Sequence, residues 1–262
     1  MTTVREIESR LFELAPRSGA MEWDNVGLLV GDPSAEVSRV LVALDVTQGV
    51  AEEAAAMGAQ LIVAHHPVMN CKWLPVQTVR EDTPQGRLLT FLLRAGISAI
   101  CMHTNLDVAK GGVNDALAET LKLVDPGPLC EDGLGRIGTI PDGPKPLAAF
   151  AADVCAALKC SGLRYADAGR PVFRVAVGGG ACGEFADRAV ACGCDTFVTA
   201  DLNYHAFLDA GPKGINLIDA GHFPTENVIC PVLVRALRAS FPTLEIKQSA
   251  SHREVIQYYK GE

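Results

Sequence analysis

Residues 60–67 read Gln-Leu-Ile-Val-Ala-His-His-Pro. The apolar run from Gln60 to Ala64 (QLIVA) has the length of a buried strand, and the histidine pair and proline end it at once. Upstream, Arg39 to Asp45 (RVLVALD) is a second β-rich run, and the Ala/Glu-rich segment from Val50 to Met57 reads as a helix. Downstream, Gln85 to Arg94 has apolar positions at helical spacing, and Ile97 to Met102 (ISAICM) is a third strand. Val4 to about Leu14 supplies a further helix ahead of them. Strands that are apolar throughout, alternating with helices, predict an α/β fold with a largely parallel sheet. Between Asp125 and Pro146 the alternation breaks into a stretch rich in proline and glycine, which reads as a lobe boundary. The order then resumes: a helix over Pro146–Leu158, a strand over Val172–Val177, a helix over Gly183–Cys192 and strands at Asp195–Thr199 and Asn216–Asp219. A last helix over about Thr225–Ala239 and a strand over Leu244–Ser249 complete the pattern. The reading is two α/β lobes, residues 1–125 and 126–262, forming one functional unit.

Composition narrows the function classes. Of 262 residues 48% are hydrophobic and 21% charged, which excludes disorder across the chain. Acidic residues outnumber basic ones by 31 to 23, giving a formal net charge of −8. That sign argues against nucleic acid as a partner. No stretch reaches the roughly 18 apolar residues of a membrane helix, and the first residues lack the apolar core of a signal peptide. A cytoplasmic location is expected. Nine cysteines without a Cys-x-x-Cys pair argue against disulfides and zinc ribbons; Cys101, Cys155, Cys160 and Cys230 sit in apolar runs and read as small buried hydrophobes.

Three segments carry chemistry, each just beyond an apolar strand, where open α/β sheets gather their ligands. They are His65-His66-Pro67, His103-Thr-Asn-Leu-Asp107 and Asp219-Ala-Gly-His222-Phe-Pro-Thr-Glu226. Each has a plain structural alternative. The histidines could pack or cap, Asn105 and Asp107 could cap a helix, and Thr225 could cap one whose first turn holds Glu226. Adjacent histidines on an extended chain point to opposite sides, so the pair suits two neighbouring ions. Together the segments supply His65, His66, Asp107, His222 and Glu226. If Glu226 bridges, one ion takes His65, Asp107 and Glu226, and the other takes His66, His222 and Glu226, with room for water on each. Imidazole and carboxylate donors suit two divalent ions of zinc, iron, manganese, cobalt or nickel. His103, outside that set, is a candidate catalytic proton carrier. Three other features invite functional readings. Gly178-Gly-Gly180-Ala-Cys-Gly183 imitates a dinucleotide fingerprint, with Asp201 downstream. Its late position favours a tight turn, with phosphate at the following helix left open. His205 reads equally as a site neighbour or a packing residue, and His252 as a residue of a polar tail segment with no partner motif.

The runs WDNxGLxxG at 23–31, LDVT at 44–47, AHHP at 64–67, HTNLD at 103–107, GRIG at 135–138, TADLNYH at 199–205 and LIDAGHFPTE at 217–226 bring a family into view. From about residue 20 onward, the chain resembles the Nif-three-like dinuclear metal-binding family. Its bacterial members often carry the label GTP cyclohydrolase 1 type 2. The resemblance places His65, His66, Asp107, His222 and Glu226 on the family's metal ligands, with Glu226 bridging. It implies two α/β lobes around a dinuclear site, a homohexamer, and a small-molecule substrate, with a nucleotide as the candidate. At 262 residues the chain reads as the family's short form. The label implies that a metal-bound hydroxide attacks C8 of GTP, opening the imidazole ring and releasing formate. A two-metal phosphoesterase and a non-catalytic metal-handling or interaction protein are the alternatives. Val68-Met-Asn-Cys-Lys-Trp73 departs from the apolar-aromatic stretch many members have there. Histidine ligands also imply that protons compete with metal as pH falls through about 6.5.

Overall fold

A computed structural model describes residues 1–70 and 78–259 of the chain. Most of the departing stretch after Val68, from Cys71 on, lies outside them. Two compact units result: Met1–Lys110 with Ile229–Arg253, and Gly111–Val228 with the stretch from Glu254. In chain order the first contains α1 (Val4–Leu14), β1 (Gly27–Val30), β2 (Arg39–Ala43), α2 (Gln48–Ala56), β3 (Leu61–Ala64), α3 (Pro84–Ala95), β4 (Ser98–Cys101) and α4 (Thr104–Val108). The second contains α5 (Val113–Thr120), β5 (Val124–Pro128), β6 (Arg136–Thr139), α6 (Leu147–Leu158), β7 (Arg164–Ala166), β8 (Arg174–Val177), α7 (Ala186–Ala191), β9 (Thr196–Thr199), α8 (Tyr204–Lys213), β10 (Asn216–Asp219) and α9 (His222–Glu226). The chain then returns to the first unit with α10 (Ile229–Ser240) and β11 (Glu245–Gln248).

This return differs from a division at 125/126. Strand β11 pairs in parallel with β2, Ile246 opposite Val40, so the end of the chain completes the first sheet rather than the second. The predicted helix over 225–239 is two helices, α9 and α10, and the unit boundary falls between them. The turn-rich stretch after Asp125 also holds structure: β5 carries Pro126 and Pro128, and it lies at a sheet edge, where missing N–H groups are tolerated.

The first sheet runs β1-β4-β3-β2-β11, with only β1 antiparallel to its neighbour. Every residue of β3 and β4 is buried, as a sheet covered on both faces requires. Register then sets the chemistry. Ala43 of β2 faces Ala64 of β3, and Ala64 faces Cys101 of β4, so the residues that follow each strand emerge at one edge. Asp45, His65, His66 and His103 all lie just past that edge. The second sheet runs β5-β6-β8-β9-β10-β7 and repeats the device. Val177 faces Val198, and Thr199 faces Asp219, so the loops after β8, β9 and β10 share an edge.

Local sequence explains the helix starts. Thr3 and Glu6 form a reciprocal capping box on α1, which buries Val4, Ile7 and Leu11. Thr83 caps α3, whose first residue is Pro84 and whose C-terminus closes on left-handed Gly96. Thr47 caps α2 by accepting from the Val50 N–H at 3.2 Å. Thr47→Ala should therefore cost about 1 kcal/mol in denaturant unfolding; an unchanged midpoint would deny the cap its role. Each unit has its own core, built around Leu41, Ile62 and Leu92 in the first and Phe150, Val175 and Ile218 in the second. No helix among the described residues is long and apolar enough to cross a membrane.

Candidate metal centre

In the first unit, the strand register brings three imidazoles together. Ring centroids lie 5.0 Å apart for His65 and His66, 5.2 Å for His65 and His103, and 5.7 Å for His66 and His103. Each ring is held through Nδ1 by an oxygen. His65 Nδ1 donates to the Met102 carbonyl at 2.8 Å, His66 Nδ1 to Asp45 Oδ1 at 2.7 Å, and His103 Nδ1 to Asp24 Oδ1 at 2.9 Å. An imidazole whose Nδ1 carries the proton presents a bare lone pair at Nε2, the form a metal ligand needs. One ligand atom from each of the three histidines lies within 4.8 Å of the others, a group able to hold a metal ion. Asp107, inside α4, brings Oδ1 to 3.5 Å from His65 Nε2.

The carboxylates behind these rings are themselves held. Asp24 Oδ2 accepts from the Thr104 N–H at 3.0 Å and from its hydroxyl at 2.5 Å. Burial would raise the Asp24 pKa, but His103 and Thr104 outweigh it and hold the pKa at about 2. Asp45 is likewise pulled well below the ordinary carboxylate range: burial opposes its charge, and hydrogen bonds from His252 and His66 overcome that penalty.

The second unit makes a smaller set. His222 opens α9, placed by Gly221 at a positive φ of +88°. Its Nδ1 lies 2.6 Å from Asp201 Oδ2 and its Nε2 lies 3.0 Å from Glu226 Oε2, one helical turn on. Burial pushes the imidazole down, yet the two carboxylates outweigh it and raise its pKa to about 11. The two carboxylates thus favour the charged form of the ring. Proton competition at His222 therefore begins far above the value of about 6.5 expected of an ordinary histidine.

The glycine loop after β8 serves this pair. Gly180 has φ +64°, and a Cβ there would stand 2.1 Å from Glu226 Oε1 and 3.2 Å from His222 Cε1. The Gly179 N–H donates to Asn114 Oδ1 and the Gly180 N–H to Thr225 Oγ1, each at 3.0 Å. These amides are spent inside the protein, which removes the phosphate cradle that the dinucleotide imitation suggested. Thr225 is no cap either: it lies within α9, and its hydroxyl donates to the Gly221 carbonyl at 2.9 Å.

Of the residues singled out in the sequence, His65, His66, His103 and Asp107 gather in the first unit, and His222 and Glu226 in the second. Asn105 and Asp107 lie inside α4 and do not cap it; the Asn105 side chain donates to the Ala15 carbonyl at 2.7 Å. His205 sits exposed in the first turn of α8, its ring beside that of Tyr204. His252, read from sequence as a tail residue without a partner motif, meets Asp45: its Nε2 lies 2.9 Å from Asp45 Oδ2. Of the holders, Asp24 and Asp45 carry no role in the sequence reading, and Asp201 enters it only as the acidic residue downstream of the glycine run. Their signal was membership of the WDN, LDVT and TADLNYH runs. The eight cysteines among the described residues are all free thiols.

The donor set suits a divalent ion on chemical grounds: imidazole lone pairs offered at Nε2, with carboxylates alongside them. The GTP cyclohydrolase 1 type 2 homolog of Streptomyces coelicolor is 39% identical over 238 residues, covering 86% of this chain and 82% of the relative. Its counterpart from Clostridium perfringens is 34% identical over 239 residues, 88% of each chain. A Bacillus cereus protein related to NIF3 superposes with a TM-score of 0.91 at 25% identity, over 99% of both chains. Reduced HcgD from Methanocaldococcus jannaschii follows the same fold, with a TM-score of 0.81 at 28% identity, over 94% of this chain and 97% of its own. The family described as Duf34/NIF3 (NGG1p interacting factor 3) matches residues 2–254, nearly the whole sequence, and the chain belongs to that family.

Proposed function

We propose that this protein is a metal-dependent hydrolase of the GTP cyclohydrolase 1 type 2-like class, holding two divalent ions on His65, His66, Asp107, His222 and Glu226. The observation that carries the reading is the cluster of imidazoles whose Nδ1 atoms are all engaged, leaving Nε2 as the donor. The names of the curated relatives supply the substrate class. Bound ions of this kind lower the pKa of water from about 15.7 to about 7 and so provide a nucleophile at neutral pH. The chain's own residues do the rest. Asp45 and Met102 fix the rings of His66 and His65. Asp24 fixes His103 with its proton on Nδ1, so that His103 Nε2 can take a proton from the attacking water and return it to the opening imidazole ring of the guanine base. Water adds at C8 to open the ring, and a second water releases formate. We further propose that the protein works in the cytoplasm as a homohexamer, which light scattering at micromolar concentration tests directly; a monomer would refute the assembly.

The deciding experiment is turnover of GTP and a panel of nucleotides by protein of defined metal content. Turnover of GTP that tracks metal content and is lost in Asp107→Asn is the expected outcome. Phosphate release in place of ring opening would identify a phosphoesterase. Tight metal binding without turnover of any substrate would make the protein a metal handler.

A further inference from the structure

We propose that His252 is a positioning residue for the metal-binding face of the first unit: acting through Asp45, it fixes the ring of His66. The inference rests on the metal reading above and extends it to a segment far away in sequence.

Each histidine of the cluster is steadied by a group that is itself steadied. His65 leans on the Met102 carbonyl, which the backbone holds. His103 leans on Asp24, whose second oxygen is tied by the Thr104 N–H and hydroxyl. His66 leans on Asp45 Oδ1, and the Asp45 side chain is 40% exposed. Alone, a carboxylate that open would rotate about its side-chain torsion and share its oxygens with water. His252 Nε2, 2.9 Å from Asp45 Oδ2, supplies what Thr104 supplies to Asp24. The Asp45 backbone N–H lies 3.2 Å from the same nitrogen. The shorter contact is to the charged oxygen, which places the proton on His252 Nε2 as donor.

The chain is built to deliver this ring. Strand β11 runs parallel to β2, with Gln248 opposite Val42, and so arrives at the same edge that Asp45 leaves. The Ser249 N–H then donates to the Val42 carbonyl at 2.8 Å. Beyond it, Glu53 of α2 clamps the turn, accepting from the Ala250 N–H at 2.9 Å, the Ser251 N–H at 3.1 Å and the Ser251 hydroxyl at 2.6 Å. The His252 N–H donates to Ser249 Oγ at 3.1 Å, which turns its ring back toward Asp45. Four consecutive residues are thus fixed to place one imidazole.

The test uses the full chain in three variants, His252→Ala, His252→Gln and Glu53→Gln. Zinc affinity is measured by chelator competition, the ligand field by the cobalt absorption spectrum, and the metal-free fold by thermal unfolding. Removing a group that holds a metal ligand typically costs about 10- to 100-fold in affinity, and His252 acts one step further out. His252→Ala should therefore weaken one ion by about three- to tenfold and shift the cobalt spectrum. His252→Gln, whose amide nitrogen reaches about as far as Nε2, should restore both. Glu53→Gln, which removes the clamp's charge, should fall between wild type and His252→Ala. Wild-type affinity and spectrum in His252→Ala would overturn the proposal. So would a loss that lowers the melting temperature of the metal-free protein, touches both ions alike and is not rescued by glutamine, because that is a merely structural role. Wild-type protein that binds no divalent ion would overturn the metal reading itself, and this inference with it.

Discussion

Gly180→Ala is expected to lower zinc affinity about a hundredfold, a loss at the upper end of what displaced ligand support costs. The reason is room. The new Cβ would lie 2.1 Å from Glu226 Oε1 and 2.9 Å from its Cδ, while the φ of +64° is one an alanine adopts only at a cost of roughly 1–2 kcal/mol. Glu226 has little freedom to retreat, because it is buried and its Cγ already abuts the position a Gly179 Cβ would take. The loop has as little, since the Gly180 N–H is bonded to Thr225. The carboxylate must therefore swing away from His222, and the pair ceases to face one point. Gly211→Ala in α8 is the control: a Cβ there meets nothing within 4 Å, and alanine is the better helix former. Chelator competition on the two variants decides the matter. Wild-type affinity in Gly180→Ala would show that the glycine is a turn residue only.

The second large effect is expected from Glu226→Gln. If this carboxylate bridges, its loss removes charge from both ions at once, and elemental analysis after saturation should fall from two ions per chain to fewer than one. His65→Ala should mainly remove one. At most one ion in the saturated wild type would sink the dinuclear arrangement. A proton count sharpens the test. Metal-free His222 has its pKa raised from about 6.5 to about 11, so between those values it is protonated where an ordinary histidine is not. The stability its ion pairs give the metal-free protein is present below the lower value and lost as pH rises through the upper one. Metal loading at pH 8 must expel this proton, and affinity should climb with pH across that window. Calorimetry in buffers of differing ionisation enthalpy should find about one proton released per chain at pH 8, and a smaller release in Glu226→Gln, which lacks one of the two carboxylates that raise the pKa. No release at pH 8 in the wild type would show that His222 is not displaced by metal.

Much of this was written locally in the sequence. Strands β2, β3 and β4 are legible because a strand buried on both faces must be apolar throughout, and α1 because its capping box and apolar stripe are contained within a few residues. His65, His66, His103, Asp107, His222 and Glu226 stand out because their segments each begin just beyond an apolar strand, where open α/β sheets gather ligands. Strand β7, helix α8 and strand β5 were missed because their signals are weak. The first is a three-residue edge strand with two exposed residues, the second contains Gly211 and Pro212, and the third is punctuated by prolines.

Tertiary structure alone decided what stands behind these histidines. Asp24 meets His103 across 79 residues, and Asp45 meets His252 across 207. Neither pairing has a local period or spacing, because both depend on which strands end at the same edge. The same holds for the unit boundary. The last strand joins β2 because parallel pairing with an apolar neighbour outweighs proximity along the chain. Sequence thus offers candidate donors, since ligand chemistry belongs to single residues. Register chose their supports, since a hydrogen bond needs two atoms brought within about 3.2 Å and only the folded sheet does that.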